Sequence, residues 1–180
     1  MNVANEYRLL AVALCGVLIT IGWPVASAQT PAVFKELGDA YEGRWLVDVT
    51  WAVDYPGLGK KGEKVTGVNI GRWILDGKVF EMEWFAGKNT GKGIIWWDPV
   101  SMQIKEVFVD SSGRWSEGTV RKKGGAFIAT AKGAFIDGRK VEYEVKVTFQ
   151  DGGRTRVHEG ATIVDGKRNP FRDVMKRVDE

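Results

Sequence analysis

The 180-residue chain has little of what most catalytic and metal chemistry requires: one cysteine, one histidine, five prolines and four methionines. The cysteine, Cys15, lies in an apolar run near the start of the chain. No intramolecular disulfide can form, and everything after residue 15 is without thiolate metal ligands or thiol catalysis. His158 stands alone, with no nucleophile motif to complete a Ser-His-Asp triad. No phosphate loop, dinucleotide fingerprint or metal-spaced cluster of His, Asp and Glu occurs. Charge of one sign is also missing. Lys and Arg number 26 against 23 Asp and Glu, a formal +3 with the signs interspersed, which favours solubility and gives no case for a nucleic-acid partner. Arg121-Lys122-Lys123 reads as a solvated hairpin end. No internal repeat, low-complexity tract or linker is visible, and no signal for oligomeric state.

One apolar run does occur, over residues 9–21, preceded by Arg8 and followed by Gly22-Trp23-Pro24. As a helix it would rise about 20 Å, short of the roughly 30 Å hydrocarbon core. Ala26-Ser27-Ala28 has the small-x-small pattern of a signal-peptidase site. The reading is a signal peptide over residues 1–28, cleaved after Ala28, and a mature chain over 29–180 that is exported, periplasmic or secreted, with no stable membrane span. Leu14 before Cys15 argues against lipidation, which needs a small residue there. A domain of that length buries about 70% of its unfolded surface and needs no covalent staple.

Only residues 31–41 show helical spacing, with Phe34, Leu37 and Tyr41 on one face after Pro31. After Gly43 the pattern is strand and turn. Asp-Gly pairs at 76–77, 137–138, 151–152 and 165–166 suit tight hairpins, and Asn89-Thr90-Gly91 reads as another turn. In residues 141–149, Val141, Tyr143, Val145, Val147 and Phe149 share one face and Glu142, Glu144, Lys146 and Thr148 the other. Phe80, Met82 and Trp84 oppose Glu81 and Glu83 likewise, and Trp45, Val47, Val49, Trp51 and Val53 continue the theme. About ten strands are expected: 44–54, 63–74, 78–85, 92–98, 102–110, 114–121, 126–135, 140–150, 154–164 and 171–178. A meander this long leaves two costly edges unless it closes, which predicts an all-β, single antiparallel up-and-down barrel behind a short N-terminal helix. A two-sheet sandwich is the alternative.

The helix followed by Gly43-Arg44-Trp45 resembles the Gly-x-Trp opening of lipocalins and their calycin relatives. Trp73-Ile74-Leu75-Asp76-Gly77-Lys78-Val79-Phe80, then Trp97-Asp98-Pro99, Val109-Asp110-Ser111 and Ser116-Glu117-Gly118-Thr119 resemble the ordered motifs of an uncharacterised, often exported bacterial family with a lipocalin-like barrel. The resemblance runs from about Leu37 onward and implies a fold and a location, but no activity. It implies that Gly43 forms the helix-to-strand bend, that Trp45 plugs the closed end, and that an arginine from the last strand, Arg177 or else Arg172, lies across the indole.

Calycin barrels with ten strands have roomier interiors, so the inward aromatic pattern predicts a cavity for a small apolar or planar molecule. Candidate lining residues are Trp51, Phe80, Met82, Trp84, Tyr143, Val145 and Glu159. Alternation places Glu159 inside with Val157, Glu106 inside with Ile104 and Phe108, and Glu117 inside with Trp115 and Thr119. Such carboxyls must be paired, hydrogen-bonded or protonated, and a pair of them could do acid–base chemistry of an isomerase or cyclase type. No catalytic residue is assigned. Trp96 and Trp97, being adjacent, must face opposite ways. Some calycins of ten strands bind haem through one late histidine. Here His158 falls with Arg154, Arg156 and Thr162 on the expected solvent face, and Leu46-Val47 replaces the glycine-rich stretch after the Trp. No haem, metal or other cofactor is therefore expected. A solid barrel acting as a structural or interaction scaffold is the non-catalytic alternative.

Overall fold

The computed structural model describes residues 30–178; the signal-peptide reading over residues 1–28 lies outside them. Helix α1 (Ala32–Tyr41) follows Pro31, and its buried stripe is Phe34, Leu37 and Tyr41. A single ten-residue helix is marginal in water, so packing must hold it. Burial of Phe34 and Leu37 alone, at roughly 2 kcal/mol each, supplies that hold. Gly43 then adopts φ +98°, a conformation a side chain resists, and the chain turns into the first strand.

Ten strands follow: β1 (Gly43–Thr50), β2 (Lys64–Ile74), β3 (Val79–Ala86), β4 (Asn89–Asp98), β5 (Gln103–Asp110), β6 (Trp115–Lys123), β7 (Ala126–Ala134), β8 (Lys140–Gln150), β9 (Thr155–Val164) and β10 (Lys167–Val178). Each pairs antiparallel with its neighbour in sequence, and β1 pairs antiparallel with β10, Trp45 opposite Arg177 and Val47 opposite Met175. The sheet closes as an up-and-down barrel. Gly77, Gly138 and Gly166 take positive φ in their hairpins. The expected turn at Asn89-Thr90-Gly91 is instead part of β4, and the chain reverses at Gly87, φ +58°. β1 is also shorter than its alternation suggests. After Thr50 the chain leaves the sheet, and residues 51–63 fold back across that end of the barrel, burying Trp51, Val53 and Tyr55.

Two apolar clusters fill the barrel from its ends. Phe34, Leu37 and Tyr41 of α1 pack on Phe80, Ile95, Ile104, Val120, Phe127 and Val147. At the other end Trp51, Val53 and Tyr55 pack with Val49, Phe135 and Val141. Several inward positions between them carry no side chain. Gly160 on β9 lies so near β8 that a Cβ would sit 1.9 Å from the carbonyl oxygen of Glu144. A backbone atom cannot swing away as a side chain can. Gly160→Ala is therefore expected to cost about 2–3 kcal/mol in urea unfolding, whereas Gly125→Ala, facing open space, should change stability by less than about 0.5 kcal/mol.

Candidate functional site

A cavity of about 260 Å³ lies inside the barrel between α1 and the 51–63 loop. Five residues singled out by alternation meet in its wall: Trp51 from the loop, Met82 and Trp84 from β3, and Tyr143 and Val145 from β8. Phe80 does not line it. This ring is fully buried toward the helix end, edge-on to Trp73 with centroids 5.3 Å apart, and belongs to the packed cluster beneath α1.

Two expectations about strand phase fail. Glu159 is exposed on the outer surface, because β9 turns Arg156, His158 and Thr162 inward, opposite to the phase expected from polarity. His158 therefore faces the interior, not solvent. On β6, Glu117 is likewise exposed outside, and Ser116, Gly118 and Val120 point in. Glu106 does line the cavity. Of the adjacent indoles, Trp97 packs on the helix-end core and Trp96 lies in an outer groove.

Trp45 is completely buried where α1 meets the barrel, and its Nε1–H donates to the Tyr41 carbonyl at 3.0 Å. The Arg177 guanidinium carbon lies 4.5 Å from the Trp45 ring centre, and Nη2 donates to the Ala40 carbonyl at 3.2 Å. Arg156 is a second cation at this ring, 4.6 Å from Trp45 and 4.5 Å from Tyr41. Indole and guanidinium attract through the ring quadrupole, so these contacts tie the helix end to the sheet.

The polar interior was largely hidden in the sequence. Arg114 lies over the rings of Tyr55, Phe108 and Tyr143, pairs through Nε with Asp110 Oδ2 at 2.7 Å, and donates from Nη1 to the Tyr143 hydroxyl at 2.6 Å. The Asp110 side chain has no exposed surface. Only the i, i+4 spacing of these two charges across a turn could have announced the pair. Arg156 has no carboxylate partner among the described residues. Its Nη2 donates to Asn69 Oδ1 at 2.5 Å and to Met175 Sδ at 2.7 Å. Burial lowers its pKa to about 10, so it remains cationic at neutral pH. Burial, reinforced by the Arg156 charge, holds the His158 imidazole well below its ordinary pKa and hence neutral, and its Nε2 has no hydrogen-bond partner among the described residues.

Two carboxyls complete the interior. Glu106 on β5 and Asp173 on β10 have no hydrogen-bond or ion-pair partner among the described residues, and burial raises their pKa values to about 7 and about 6. β5 and β10 lie five strands apart around a ring of ten, so these carboxyls project from opposite walls. Among the described residues no group of three His, Cys, Asp or Glu could hold a metal ion. Neither a scan of protein-family models nor a search of curated proteins finds a match to this chain.

Chemically the site offers aromatic walls, two carboxyls that titrate near neutrality, and two buried cations, Arg114 and Arg156, already engaged by protein groups. Truncating Arg114 to Met should strand Asp110 inside the barrel and cost about 3–5 kcal/mol in denaturant unfolding. The carboxyls predict a pH dependence. Their ionisation is harder in the fold than in the unfolded chain, so it opposes folding, and their contribution declines as pH rises from about 4 through about 7. Neutral His158 acts in the opposite sense, losing stability as pH falls below 6.5. Comparison with Glu106→Gln isolates the Glu106 part. Wild type should lose on the order of 3 kcal/mol relative to that variant between pH 4.5 and 7, and a difference that stays flat across this range would show that Glu106 is not held protonated.

Proposed function

We propose that this chain is an exported, calycin-like binding protein that holds a small, largely apolar or planar molecule inside its barrel. The observation that carries the reading is the cavity itself. A void of about 260 Å³ lined by Met82, Trp84, Phe108, Tyr143 and Val145 exceeds the roughly 150 Å³ apolar cavity that accommodates one benzene. A solid scaffold would have no use for such a void, since unfilled core volume costs stability. Export rests on the signal-peptide pattern of residues 1–28, and kinship to calycins on the Gly43-Arg44-Trp45 opening together with the ten-strand closure. Although His158 faces inward, the volume suits one or two rings and not the four pyrroles of a haem, so we assign no haem. A second reading, an acid–base enzyme of isomerase type, draws support from Glu106 and Asp173 sharing the same cavity.

Native mass spectrometry of protein purified from its source should show a bound small molecule that is released on denaturation. Benzene near saturation should raise the thermal midpoint by several degrees, on the order of 2 kcal/mol of linkage. Val145→Trp places an indole between Gly160 and Ala129 and should abolish the benzene effect. An equal shift in wild type and variant would mean that benzene binds elsewhere, and no bound molecule together with no shift would remove the reading.

A further inference from the structure

The geometry points to a small organic base as the occupant: one or two rings bearing a protonated amine, held between the carboxyls of Glu106 and Asp173. This inference rests on the binding reading above and adds the chemical class of the ligand.

Glu106 is flanked on the inner face by Ile95 and Gly118, which offer it no donor. Asp173 is opposed by His158, with no hydrogen bond between them, and its other neighbours on the inner face of β10, Phe171 and Met175, are apolar. A carboxyl inside a protein is costly until something donates to it; no described residue hydrogen-bonds to either, although the Tyr41 hydroxyl lies near enough to Glu106 to feel its charge.

The cations are committed elsewhere. Arg114 is held by Asp110 and Tyr143, and Arg156 by Asn69 and Met175 with its guanidinium against the Tyr41 and Trp45 rings. Arg156 Nη1 and His158 Nε2 have no partner among the described residues, but both nitrogens are covered by neighbouring protein atoms. A molecule in the cavity therefore meets carboxyl oxygens, not these nitrogens. Two carboxyls to which no described residue hydrogen-bonds call for a ligand that donates, as a protonated amine does. The Trp84 ring in the cavity wall suits the same class, because a ring quadrupole attracts an ammonium.

Three one-ring probes of similar size separate the possibilities: benzylamine (cation), toluene (neutral) and benzoate (anion), titrated by calorimetry at pH 8. Benzylamine is expected to bind at least tenfold more tightly than toluene, with benzoate weakest. Glu106→Gln and Asp173→Asn should each weaken benzylamine about tenfold and leave toluene unchanged. Both replacements are isosteric and remove a buried charge, and their melting temperatures check the fold. Should either variant misfold, the comparison of probes on wild type still decides. Benzylamine no tighter than toluene, or benzoate tightest of the three, overturns the inference while leaving the cavity a binding site for apolar molecules. Failure of all three to bind overturns both this inference and the binding reading.

Discussion

Ten strands wound into one closed ring enclose more room than their own side chains readily fill, and the rest of this structure answers that constraint. Eight-stranded barrels have interiors just wide enough for side chains to fill. Here two more strands widen the ring, and the missing side chains at inward Gly91 and Gly93 make room for Phe108 and Met82. The surplus space is filled from the ends, by α1 on one side and by residues 51–63 on the other. What remains unfilled is the cavity, and the groups trapped around it acquire their unusual protonation from that burial.

Both end fillings depend on particular anchors. The helix end is fixed where Trp45, Arg177 and Arg156 gather around the last turn of α1, with the Ala40 and Tyr41 carbonyls accepting from Arg177 and Trp45. The loop end is tied by Arg139 donating to the Asp54 carbonyl and by Lys61 Nζ donating to Asn169 Oδ1. The first set is buried and joined by stacking as well as hydrogen bonds. The second is more exposed and polar, so water competes for it. Beneath those exposed bonds the loop is held by buried Trp51, Val53 and Tyr55, the last edge-on to Phe135 at 5.4 Å.

Much of this architecture was legible in the residues. The apolar face of 141–149, the Asp-Gly turns and the solitary helical stretch fix the topology, because hydrophobic period and turn chemistry agree at each of them. The phase of β9 was not legible. Alternation assumes an oily inside and a wet outside, but β9 turns Arg156, His158 and Thr162 inward and buries Val157 and Ala161 on its outer face. Where a barrel's interior is itself polar, hydropathy reads the strand inside out. β6 misleads for a different reason: Ser116 and Gly118 face inward but carry too little apolar surface to mark their side. Lining by Met82, Trp84, Tyr143 and Val145 follows from ordinary alternation, whereas Trp51 reaches the cavity from the loop after β1. The Asp110–Arg114 pair does not, since it depends on a turn bringing the two charges together beneath Tyr55.

The up-and-down order has a kinetic consequence. Nine of the ten ladders join strands adjacent in sequence, and only β1 with β10 must bring together segments about 130 residues apart. Closing a loop of that length costs about 3 kcal/mol more chain entropy than closing a four-residue hairpin, so the seam between β1 and β10 should zip late. Until it does, the chain is an open sheet with two bare margins and no interior. Arg177 cannot reach Trp45 before then, and the enclosed interior exists only once β1 and β10 have met.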